Sequence, residues 1–238
     1  MGPASIPRSH VNYRIFRAPA AEFVGTALFV LVGAGSAIAN QGGAAGLAIA
    51  LANGIGLALA VTITMPISGG HINPAVSVAL WLGKKIDALT LGRYVLAQLL
   101  GAIVGALLIK ATFPASAVRM SSLGTPQVAG SMSLIGAIAL EALFTFFLVS
   151  AVYGTVVSPQ GEKVAGFGIG LVVVVCALGG GGALTGAVMN PARAFGPALV
   201  SWDWHAQAVY WIGPLVGAAA AAGLWRYLLL PPGVTDLR

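Results

Sequence analysis

The sequence predicts an all-α membrane protein of six transmembrane helices plus two re-entrant half-helices, arranged as an inverted repeat. Three observations carry this expectation. First, 58% of the 238 residues are hydrophobic and 8% are charged, against about 45–50% and about 25% in soluble domains; the mean hydropathy is +0.93. Second, six apolar runs approach the roughly 20 residues that a helix needs to cross a bilayer core of about 30 Å. Third, the triplet Asn-Pro-Ala occurs twice, at Asn73-Pro74-Ala75 and Asn190-Pro191-Ala192. Each copy opens an apolar run too short to span, the kind that re-enters the membrane buried in protein.

The spans are expected at 19–39, 44–65, 95–113, 134–157, 164–180 and 208–230. The first is too long for a cleavable signal and lacks a clear cleavage site. The half-helices are "AVSVALWLG" (75–83) and "ARAFGPALVSW" (192–202). Asn is a strong N-cap and Pro is favoured at the first helical position, so each triplet reads as a helix start. The pairs Gly101/Gly105 and Gly213/Gly217 have the spacing of close helix packing. The run "GGGG" at 179–182 reads as a loop bending into the path, without the strand context of a phosphate-binding loop.

The charge of +6 is spread out: no basic cluster exceeds Lys84-Lys85, which argues against nucleic-acid binding. Arg8, Arg14 and Arg17 precede the first span. Lys84, Lys85 and Arg93 lie between the first half-helix and span three, Lys163 lies between spans four and five, and Arg226 is near the C-terminus. Lys110 and Arg119 fall on the opposite side. The positive-inside rule then puts both termini in the cytoplasm. The cell membrane is the first expectation, a vacuolar or other internal membrane the alternative. The single Cys176, within "VVVVCALGG", excludes an internal disulfide and a thiolate metal cage and reads as a buried small hydrophobe. No metal and no cofactor are expected.

The chain repeats itself within one domain, 1–238, as units of about 18–113 and 134–230. Glu22-x-x-x-Thr26 and Glu141-x-x-x-Thr145 are separated by nearly the same interval as Asn73 and Asn190. Three spans and one half-span per unit make an odd number of crossings, so the second unit enters the membrane inverted. The two triplets then meet near the midplane. Each Asn can cap its own helix with its carbonyl oxygen and keep its NH2 as a donor. Two helix N-termini aimed at one point place two positive dipole ends there. Carbonyls of "SGGH" and "LTGA" can line the path as acceptors. This describes a narrow pore for neutral solutes with a cation barrier at its centre.

The two boxes "SGGHINPAVS" and "NPARAFGPA", together with the two Glu-x-x-x-Thr motifs, resemble the aquaporins, or major intrinsic proteins, over nearly the whole length. The resemblance implies a pore in each subunit, a homotetramer in lipid, and passage of water and small neutral solutes. It maps the selectivity constriction onto Asn53, Leu178, Ala187 and Arg193. Glycerol facilitators have Asp after the second-box Arg, where this chain has Ala194, and the last span here carries the water-channel pair Tyr210-Trp211. Strict water channels place Phe and His where Asn53 and Leu178 stand. The sequence looks closer to the vacuolar plant and ammonia-permeable branch, which has His and Ile there, so Asn53 departs from both patterns.

Other readings stand beside these. Asn73 and Asn190 could be helix caps alone. Arg193, one turn after Asn190, is an intramembrane charge and so a pore candidate. Glu22 and Glu141 are expected to accept from backbone N–H groups of the re-entrant loops, with a proton relay as the alternative. His71 either lines the cytoplasmic vestibule or buttresses its loop, while His10 and His205 have no assigned role. The function expected is a passive channel for water, with ammonia or hydrogen peroxide as further solutes and protons and ions excluded. The alternatives are a small-polyol facilitator and a coupled transporter using Glu22 and Glu141. An enzyme is not expected: there is no serine-nucleophile motif, no His-Glu-x-x-His and no intramembrane Asp pair.

Overall fold

In the computed structural model, residues 8–40, 45–162 and 164–234 are described, and within them the side chains from residue 15 onward except that of residue 165. Lys163 and the side chains of Arg8, His10 and Arg14 lie outside the described residues. The chain runs through α1 (Arg8–Ala39), α2 (Ala45–Ser68), α3 (Pro74–Leu82), α4 (Ala88–Thr112), the short α5 (Ala115–Met120), α6 (Leu134–Val152), α7 (Ala165–Cys176), the single turn α8 (Gly182–Leu184), α9 (Pro191–Ser201) and α10 (Gln207–Leu224). No strand occurs among the described residues. Six of these segments are long and apolar enough to cross a bilayer: Ile15–Ala39, Ala45–Ser68, Ala88–Thr112, Leu134–Val157, Gly166–Leu184 and Gln207–Leu229. The fold is therefore the expected one, with α3 and α9 as the two half-helices.

The helix starts are set by local chemistry. Asn73 and Asn190 cap α3 and α9 from extended backbone, as a residue before proline prefers. Asp87 caps α4 by accepting from Thr90 N, and Ser133 caps α6 by accepting from Gly136 N. The ends of α6, α7 and α10 widen into π-turns at Tyr153–Val157, Ala177–Gly181 and Trp225–Leu229.

α1 packs against α4 and α2, α10 packs against α6, and α2 crosses α7 between the two sets. Each half-helix lies on a helix from the other half of the chain: α3 on α10, and α9 on α4. Glycines allow the closest crossings. A Cβ on Gly105 would lie 2.6 Å from the Ala27 carbonyl oxygen, and one on Gly101 would strike that of Phe23. A Cβ on Gly213 would lie 2.8 Å from the Ile138 oxygen, and one on Gly217 would strike that of Ala142. Both glycine pairs therefore sit at helix–helix contacts, as their spacing predicts. The outward faces carry Leu96, Leu100, Phe147, Val175 and Ile212, all exposed, which suits contact with hydrocarbon.

One local expectation is overturned. Residues 179–182 form no loop; they belong to the π-turn Ala177–Gly181 and to α8. Only Gly180 leaves helical geometry, with φ 112°. At membrane depth a helical backbone satisfies its own polar groups and a loop does not, so the glycines stay helical despite their low propensity. The irregular chain that turns inward begins at Thr185.

Candidate functional site

Two irregular loops, Ser68–Asn73 and Thr185–Asn190, carry the chain to the two caps. Each is held by one buried glutamate. Glu22 accepts from Ser68 Oγ (2.6 Å), His71 N (2.9 Å) and Ile72 N (2.7 Å). Glu141 accepts from Thr185 Oγ1 (2.6 Å), Val188 N (2.9 Å) and Met189 N (2.7 Å). Both carboxylates are 0% exposed. They satisfy backbone donors that have no helix or strand to join. A tyrosine closes each loop from the outside: Tyr94 Oη donates to Ser68 O (2.8 Å) and Tyr210 Oη to Thr185 O (2.9 Å).

The residue before each Asn is left-handed, Ile72 at φ 56° and Met189 at φ 52°. This region is costly for an L-residue, most of all for β-branched Ile, and persists where the surroundings over-determine it. The turned carbonyls are then used. Asn73 Nδ2 donates to Met189 O (2.8 Å), and Asn190 Nδ2 donates to Ile72 O (3.0 Å). Each Asn Oδ1 meanwhile accepts from its own helix: Asn73 from Ala75 N (2.8 Å), Asn190 from Ala192 N (3.0 Å) and Arg193 N (3.3 Å). The amides thus use one N–H to tie the loops together and keep the second as a free donor. The N-termini of α3 and α9 face each other at this junction.

A cavity opens on either side of it. One, of about 450 Å³, is lined by His71, Asn73, Val76, Leu80, Leu148 and Val152 among others. The other, of about 520 Å³, brings together Asn53, Leu178, Ala187 and Arg193, all four residues expected at the constriction, with Gly124 and Thr125. Arg193 is buried and donates from Nη1 to Gly124 O (2.8 Å), a glycine at φ 68°. His71 both faces a cavity and contacts its neighbours. It lines the first cavity, and its Nδ1 lies 3.0 Å from Ser77 Oγ while its ring meets Tyr94 edge-on at 4.9 Å. Neither glutamate lines either cavity. His205 lies on the exposed turn before α10, where its N–H donates to Asp203 Oδ1 (3.2 Å). No group of three or more metal-ligating side chains occurs among the described residues.

The structure adds residues that sequence reasoning passed over. Gln98 Nε2 donates to Glu22 Oε2 (2.8 Å) and to Ser77 Oγ (2.9 Å). Tyr94 repeats Tyr210 at the interval that relates the two loops, a signal that was available. Gly124, which orients Arg193, lies in an irregular connection with no local pattern to mark it.

The family description "Major intrinsic protein" matches residues 9–225. The chain is 41% identical over 226 residues to a probable aquaporin TIP-type alpha of Phaseolus vulgaris, covering 90% of this chain and 86% of that protein. It is 42% identical over 225 residues to aquaporin TIP1-2 of Zea mays, again covering 90% and 86%. In fold it is similar to the aquaglyceroporin of Plasmodium falciparum, with a TM-score of 0.80 at 23% identity, over 89% of this chain and 96% of that one.

Proposed function

Given that this chain belongs to the major intrinsic protein family, we propose that the two cavities and the asparagine junction between them form one continuous pore. The protein is a passive water channel and not an enzyme. Our reading adds that water crosses at Asn73 and Asn190, that Arg193, Asn53, Leu178 and Ala187 form the filter, and that ammonia and hydrogen peroxide pass as well. One observation carries it: the reciprocal bonds from Asn73 to Met189 O and from Asn190 to Ile72 O, with a cavity on each side. Two helix N-termini meeting at the junction disfavour a cation there, while the spare amide donors can bind the oxygen of a passing water.

The enclosed glutamates support a channel over a coupled transporter, since their carboxylate oxygens are engaged by loop donors away from both cavities. Ala194 and the pair Tyr210-Trp211 favour water and small solutes over polyols. The chain is an integral multi-pass membrane protein. Both termini on the cytoplasmic side, two inverted units and a homotetramer complete the reading. Arg226 donates to Leu82 O, which supports putting the C-terminal end beside the basic α3–α4 connection. The membrane is the cell membrane, or, as the TIP designation of the relatives favours, a vacuolar one.

Stopped-flow light scattering on proteoliposomes tests the reading. The expected result is water permeability above empty vesicles with a low activation energy and no dependence on an ion gradient. Saturable flux that requires an ion gradient would overturn it.

A further inference from the structure

Asn53 is the filter residue that departs from the common patterns, and its side chain is held from behind. Its Nδ2 donates to Ile49 O of its own helix at 2.9 Å and lies 3.4 Å from both Gly33 O and Ser36 Oγ on α1. The Ser36 hydroxyl proton is already donated to Gly33 O (2.8 Å), so this oxygen faces Asn53 as an acceptor. Three acceptors surround one end of the amide, and only the NH2 end fits them. Oδ1 is then the polar atom that Asn53 presents to the cavity it shares with Arg193. Gly33 is the surface on which both rest: a Cβ there would lie 2.5 Å from Asn53 Oδ1 and 3.7 Å from Arg193 Nε.

We propose that Gly33 and Ser36 are specificity-determining positioning residues, which fix Asn53 as an acceptor and seat it beside the Arg193 donors. The inference rests on the second cavity being the filter. Asn53 then offers a solute an acceptor and no donor, because its NH2 group is taken up by Ile49 O of its own helix and by the α1 acceptors. The favoured solute class is small and neutral, with an N–H or O–H for Asn53 Oδ1 and a lone pair for Arg193. Ammonia and hydrogen peroxide meet both needs, as water does. Carbon dioxide, which has no donor, does not.

The test uses proteoliposomes of the full chain carrying wild type, Ser36→Ala, Ser36→Thr and Gly33→Ala. Water permeability is read by light scattering and ammonia permeability by an internal pH dye, on variants that elute as wild type does. Ser36→Ala removes one of the three acceptors, leaving Ile49 O and Gly33 O, so the amide is held more loosely and the ammonia-to-water ratio falls by up to about fivefold, the worth of one hydrogen bond. Ser36→Thr keeps the hydroxyl and restores the ratio. Gly33→Ala drives Asn53 into the cavity and lowers both permeabilities, ammonia more than water. A wild-type ratio in Ser36→Ala, or unchanged fluxes in Gly33→Ala, would overturn the proposal. If Gly33→Ala does not fold, the Ser36 pair decides. If wild type carries no ammonia above bare vesicles, the wider solute range fails on its own. The positioning role is then decided by water flux alone, which Gly33→Ala must lower.

Discussion

The loop at Ser68–Asn73 and the loop at Thr185–Asn190 share one skeleton and differ in what they do with polarity. Glutamate, hydroxyl, tyrosine, left-handed residue and capping Asn correspond in kind and nearly in distance. Around the first loop, His71, Ser77 and Gln98 join Glu22 in a polar cluster. At the matching positions the second loop has Val188, Ala194 and Pro214. It has instead Arg193, where the first half has Val76. One half turns its extra polarity inward to hold itself together; the other spends it on a cavity wall. The doubled parts are those that satisfy irregular backbone in a membrane. Of the unmatched parts, Ser77 and Gln98 line neither cavity, while Arg193 lines the second.

The largest expected effect breaks what the halves share. Glu22→Ala or Glu141→Ala leaves two buried loop N–H groups without partners, at a cost of roughly 4 kcal/mol each. Glu22→Ala should be the worse of the two, because Gln98 and Ser77 lose their anchor as well. Thermal unfolding in detergent, followed by size exclusion, ranks them; equal melting temperatures would show that the Gln98 cluster adds nothing. Next come Gly101→Val and Gly217→Val, which press a side chain onto the Phe23 and Ala142 carbonyls. Each should cost about 3 kcal/mol by overpacking, and by similar amounts. A large difference in the same assay would mean that one of the two helix pairs can spread apart.

Arg193→Val tests the unmatched part. It removes the one charge that lines the second cavity and leaves the first loop untouched, so proton and cation leak should rise about tenfold with little loss of stability. Patch-clamp and internal pH-dye records read it, and unchanged leak would leave the asparagine junction as the whole barrier. The smallest effects are Tyr94→Phe and Tyr210→Phe, each losing one hydrogen bond to a loop carbonyl, about 1 kcal/mol. Equal drops in melting temperature would extend the symmetry to the outer face of both loops.

The helix starts were legible because capping is local: an Asn followed by Pro can be read from neighbours alone. The repeated Glu-x-x-x-Thr was legible because duplication is visible without knowing contacts. The bonds from Asn73 to Met189 O and from Asn190 to Ile72 O join residues far apart in sequence, and nothing local announces them. Residues 179–182 misled because glycine propensity is measured in water, where an unwound backbone costs little. Asn53 lies on the wall of the second cavity, but which end of its amide faces that cavity depends on Gly33 and Ser36 from another helix.

The crossing of α3 onto α10 also bears on how the protein is made. Ribosomes deliver the chain from its N-terminus, so α3 is synthesised early and α10 is the last span to arrive. Until α10 arrives α3 lacks the helix that covers it, and until the loop before α9 is made Asn73 lacks the Met189 carbonyl that completes its bonding. A nascent chain carrying all of the first half is therefore an unfinished object, with a polar hairpin waiting in the membrane. The junction between the two loops can close only after Met189 has been made, and α3 gains its cover only with α10.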